Sequence, residues 1–196
     1  AVIVDLAPVK RPVLEFAREA LAHPARFVGG HLVRSPGTPR EDEPSTEWVH
    51  GATFYLVALP ETSTRALDVA TSLAIAAGAQ PRFIDAAEHD GLVAATCQLP
   101  AVAAAGLVGA VATDAGCQER SRASAGVLVA LRAAIAESAD VEVLLSNDAN
   151  LLYWIDRYVV ELQRLRGLVV DGDRQAVAEA LTKAADTLAH WSEGDS

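Results

Sequence analysis

The chain has 196 residues, half of them apolar, and a formal net charge of −10. That is enough for one large domain or two small ones with a real core, and the acidic balance excludes nucleic acid as the expected partner, because phosphates are met by a basic face. No apolar run reads as a bilayer span, no signal peptide opens the chain, and Cys97 and Cys117 have neither CxxC spacing nor a nearby histidine cluster, so membrane and metal are not expected and a cytoplasmic, reducing compartment is.

The chain has no Met and opens on AVIVDLA, an apolar run rich in β-branched residues. It reads as a strand buried on both faces, and residues are expected to precede Ala1. Residues 10–22 have helical spacing, with Pro12 tolerated in the first turn. RFVGG (26–30) reads as a second strand, and the Pro-rich, charged residues 34–48 as an exposed loop. Residues 52–59 read as a third strand. A helix follows over 62–78, with Thr62 or Ser63 as cap and Gly78 as stop, then a fourth strand at 81–86. Strands alternating with helices predict an α/β layer with a mostly parallel sheet.

After Asp85 no strand signal remains. Residues 87–116 read as one helical stretch broken or kinked at Pro100. Residues 124–138 form another helix. Leu151, Ile155, Tyr158, Leu162, Leu165 and Val169 mark an amphipathic helix over 141–169, and residues 173–191 make a last one. Charge changes at the same place: residues 1–85 carry 8 basic and 10 acidic side chains, residues 86–196 carry 8 and 16. The expected organisation is an α/β part, 1–85, followed by an all-helical part, 86–196.

Four places carry candidate chemistry. His31 follows Gly29-Gly30 at the end of a strand, where α/β proteins hold ligands. It is a candidate proton acceptor; the alternative is a solvated histidine beside a simple turn. Asp5 and Lys10 flank a strand-to-helix corner, where a capping aspartate and a surface lysine are the plainer reading. In EHDG (88–91), helix capping accounts for Glu88 and Asp90 and leaves His89 over. Arg132 lies in an apolar helical run and must be paired or reach water. There is no GxGxxG and no phosphate-cradling loop.

Taken in order, these pieces resemble the prephenate/arogenate dehydrogenase family of tyrosine biosynthesis. VIVDLAPVK is similar to the family's strand with D-x-G-S-x-K, and RFVGGHLVRS to its F-x-G-G-H-P segment. The segment 89–101 is similar to its H-D…S-H-L-P-H, GVLVALRAAIAES to its T-R-I-A stretch, and LLSNDANLLYWIDRYVV to its long helix. The resemblance covers residues 1 to about 189. It implies the C-terminal part of a Rossmann-type parallel sheet followed by a helical dimerisation domain, and a homodimer. It implies oxidative decarboxylation of prephenate or arogenate with hydride transfer to NAD or NADP. His31 falls on the histidine that takes the substrate hydroxyl proton, and Arg132 on the arginine that binds a substrate carboxylate. His89 and Gln98 fall on the substrate side, and Asp5, Pro8 and Lys10 beside the dinucleotide. Departures from the motifs include Pro8 for serine, Leu32 for proline, Gln98 and Ala101 for histidines, and Leu131 for threonine. Two further readings stay open: a non-catalytic relative serving dimerisation or ligand sensing, and a dehydrogenase of another hydroxy acid.

Overall fold

A computed structural model describes residues 1–34, 49–112, 116, 125–138 and 140–193. Most of the expected 34–48 loop and Cys117 lie outside the described residues. The order is β1 (Ile3–Val4), α1 (Arg11–Ala20), a 3₁₀ turn, β2 (Phe27–Val33), β3 (Thr53–Ala58), α2 (Thr64–Ala76) and β4 (Gln80–Phe83). Then come α3 (Ala86–Val93), a π-turn (Ala94–Gln98), α4 (Leu99–Val111), α5 (Ala125–Glu137), α6 (Val141–Ser146), α7 (Asp148–Asp171) and α8 (Arg174–Glu193). Everything described after Phe83 is helical or connecting.

The four strands form one mixed sheet in chain order. β1–β2 and β3–β4 are parallel, but β2–β3 is antiparallel, with His31 opposite Tyr55. Two of the three pairings are parallel, as expected of a mostly parallel sheet, and the antiparallel β2–β3 pair makes it mixed. Strand alternation then builds two cores. Val28, Phe54 and Leu56 pack with Ala66, Ala70 and Ala74 of α2, while Phe27 and Val57 pack with Leu14 and Ala17 of α1.

Local signals place the helix ends. Ser63 Oγ accepts from the Ala66 amide at 3.3 Å, and Gly78 stops the α2 segment at φ +84°. Pro100 breaks nothing: the π-turn just before it widens the backbone, and α3 runs through into α4. That continuous helix, Ala86–Val111, is long and apolar enough by length and composition to cross a membrane, although no bilayer span was expected from the sequence. The expected helix over 141–169 is instead two, broken at Asn147. The molecule comprises two compact units, residues 1–151 and 152–196.

Candidate functional site

The corner between β1 and α1 is held by Asp5. Its carboxylate accepts from the amides of Ala7 at 2.8 Å and Gly30 at 3.1 Å, and pairs with Lys10 Nζ at 2.6 Å. Lys10 Nζ also donates to the Gly30 carbonyl at 2.5 Å. Lys10 is therefore no surface lysine: its side chain is 0% exposed. Burial pushes its pKa down against the pull of Asp5. The closeness depends on glycine. A Cβ at Gly30 would stand 2.5 Å from the Asp5 carbonyl and 3.0 Å from the Phe54 ring. Gly29-Gly30 is thus strand, not turn, and β2 continues to Val33.

His31 comes next on β2, on the face shared with Tyr55 and Phe27. Its Nδ1 lies 2.9 Å from His89 Nε2, and the two rings meet edge to face with centroids 5.1 Å apart. Tyr55 stacks on His89 in the same way, at 5.7 Å. His89 Nδ1 in turn lies 2.9 Å from Asp90 Oδ1. Burial above all, then the neighbouring His89 and Lys10, lower the His31 pKa from 6.5 to about 4. His31 Nε2 has no partner among the described residues, yet no buried side-chain nitrogen or oxygen among them goes unpaired, so this atom reaches the surface.

Asp90 does not cap its own helix, the role expected of it from sequence. Asp85 does that, accepting from the Ala87 amide at 2.8 Å and the Glu88 amide at 3.4 Å. Asp90 caps α1 instead. It accepts from the amides of Lys10 at 2.7 Å and Arg11 at 2.8 Å, the first free N–H groups of a helix whose own N-cap residue supplies no side-chain bond. Burial pushes the Asp90 carboxyl up, but the His89 ring and these two amides outweigh it and hold it below its ordinary value.

Behind Asp90 lies an amide ladder. The two hydrogens of Asn147 Nδ2 go to the Asp90 carbonyl and to Gln98 Oε1, each at 2.9 Å, and Asn147 Oδ1 accepts from Asn150 at 2.8 Å. Gln98 is buried with its amide so engaged, its Nε2 aimed at the Val143 carbonyl at 3.4 Å. The sequence places Asn147 only within the segment that resembles the family's long helix and gives it no role, although an asparagine between two helical runs is a terminus signal.

Of the residues singled out in the sequence, the structure brings together Asp5, Lys10, His31, His89 and, through Asp90 and Asn147, Gln98. Pro8 is exposed at the corner. Arg132 stands apart, exposed on α5 with no ion pair among the described residues. Asp5 and Lys10 are spent on each other and on Gly30, so neither presents a free group to the phosphates of a dinucleotide. Pro8 has no donor to offer. These three positions do not fit as a dinucleotide cradle.

A small mixed sheet continued by a mostly helical segment defines the class, an α/β fold with a helical dimerization part. The chain belongs to the prephenate dehydrogenase family: the profile of that family's dimerization domain matches residues 85–183, half of the chain. Among solved structures it is similar to prephenate dehydrogenase from Aquifex aeolicus, at TM-score 0.79 and 18% identity, over 97% of this chain and 68% of that one. The same Aquifex enzyme in complex with hydroxyphenyl propionate and NAD+ gives TM-score 0.75 and 20% identity, over 97% and 67%. Synechocystis arogenate dehydrogenase gives TM-score 0.75 and 20% identity, over 97% and 69%. A search of the curated proteins finds no match.

Proposed function

We propose that the chain serves an oxidoreductase of the prephenate or arogenate dehydrogenase type, acting in tyrosine biosynthesis in the cytoplasm with NAD or NADP. The carrying observation is the His31 ring: its Nδ1 is engaged by His89, and its Nε2 is left open at the surface. A neutral imidazole so placed can accept the substrate hydroxyl proton. Arg132, exposed on α5, is proposed to take a substrate carboxylate. Residues 1–85 are the α/β part and residues 86–196 the dimerisation part of a homodimer. This chain's own contribution is to the substrate: one proton and one carboxylate.

The test is turnover of prephenate and of arogenate, each with NAD and NADP, by the purified protein and by His31→Asn. Loss of a positioned base should cost about 10²-fold or more in kcat. Arg132→Lys should raise KM and leave Tm nearly unchanged, because a bidentate guanidinium is not replaced by a point charge. Equal turnover with His31→Asn sinks the proposed role of this residue. A second reading, a non-catalytic relative used for dimerisation or ligand sensing, is favoured by Asp5 and Lys10 having no free group for a dinucleotide. It predicts no turnover with any of the four pairs.

A further inference from the structure

We propose that His89, held by Asp90, is a positioning residue that fixes His31 as the Nδ1–H tautomer, so that Nε2 carries the lone pair. The inference rests on the reading of His31 as a base, and adds what makes it one. His89 fell on the substrate side by resemblance, but its side chain is 1% exposed and both of its ring nitrogens are engaged within the protein. It is placed to act through His31.

The chain of hydrogen bonds is directional, and its direction starts at the carboxylate. Asp90 is ionised: its Oδ1 and Oδ2 each accept a backbone N–H at the start of α1, and these bonds favour the carboxylate and hold its pKa below the ordinary value. An ionised carboxylate only accepts, so His89 Nδ1 carries the hydrogen toward Asp90 Oδ1. Neutral His89 then offers a lone pair at Nε2. His31 Nδ1, 2.9 Å away, must donate to it, and His31 Nε2 is left bare. The orientation is fixed as well as the tautomer. Asp90 is 3% exposed, its helix is anchored by Asn147 on the Asp90 carbonyl, and Tyr55 closes one side of the His89 ring. A ring free to turn over would present either nitrogen to a substrate; this one presents only Nε2.

The test reads the tautomer directly and needs no activity. In protein labelled with ¹⁵N-histidine, long-range ¹H–¹⁵N correlation at neutral pH should show His31 protonated at Nδ1 and bare at Nε2. His89→Leu should move the His31 population toward Nε2–H, and His89→Gln, which keeps an acceptor, should restore Nδ1–H in part. In turnover, His89→Leu should lower kcat by about 10²-fold with KM within about twofold, since a wrong tautomer removes the base and not the binding. Should His89→Leu fail to fold, the wild-type spectrum and His89→Gln decide. Wild-type His31 found as Nε2–H, or a protonated His89 donating to it, overturns the proposal, as does Nδ1–H persisting in folded His89→Leu. Active His31→Asn with the expected spectrum would sink the base reading alone and leave the tautomer assignment standing.

Discussion

In residues 1–151, Lys10, His89, Asp90, Gln98 and Asn147 are all buried, and every one is hydrogen-bonded. In residues 152–196 no described residue is buried, and Val169 and Trp191 stand 69% and 71% exposed. The first unit is specified from within, by polar groups that satisfy one another around two apolar cores. The second has the apolar residues of a core and nothing of its own to cover them. A pair of helices this open gains little from intrinsic propensity alone. A homodimer would supply the missing surface, and obligate pairs bury more than roughly 2,000 Å².

Four measurements would break or sharpen this contrast. The largest effect is expected at Lys10. Lys10→Met takes the paired cation from the partly buried Asp5 carboxylate and the donor from the Gly30 carbonyl, and denaturant unfolding should show a loss of about 3 kcal/mol. A loss below about 1 kcal/mol would mean that the polar corner does not specify the first unit. Next comes the second unit. Leu188→Asp, at an exposed position on α8, should weaken the dimer by about thirtyfold or more in sedimentation at micromolar concentration. Wild-type protein that sediments as a monomer would show that a second copy does not cover the open helices.

The third is a pH dependence. His31 binds a proton near pH 4 when folded and near pH 6.5 when unfolded. Between those values the unfolded chain holds more protons, so stability rises with pH; it is lost as pH falls from 6.5 to about 4. The ring is only partly buried, so the loss should be about 2 kcal/mol. Asp90, with its lowered pKa, adds a loss in the same direction at still lower pH. His31→Gln should flatten the slope between 4 and 6.5; an unchanged slope would assign it to another group. By the same shift, the ascending limb of any pH–rate profile should lie near 4 rather than at histidine's usual value. The smallest effect belongs to the exposed pair of Arg164 and Glu161 in the second unit. Glu161→Gln should leave Tm unchanged, since solvent screens such pairs.

Much of the frame was legible because it is local. The strands read at 26–30 and 52–59, found at 27–33 and 53–58, the Ser63 cap and the Gly78 stop follow from spacing and turn chemistry. What escaped was long-range. Sequence spacing shows that Asp90 opens a polar helix start, but not that its carboxylate reaches amides 79 and 80 residues away. Lys10 looked like a surface residue because nothing local says that a glycine strand will let it in. Asn147 hid inside an apolar periodicity that runs across it on both sides, and only the buried partners Gln98 and Asp90 give it a reason to interrupt the helix.

The cap on α1 is borrowed. Its carboxylate belongs to α3, beyond Asp85, where sheet gives way to helices. A gene divided at that junction would yield an N-terminal piece whose first helix begins with bare N–H groups. The C-terminal piece would carry a carboxylate that has lost the two amides it caps. The junction that composition marks most clearly is therefore a poor place to dissect the protein, and a polypeptide cut there should recover its structure only when both pieces are present together.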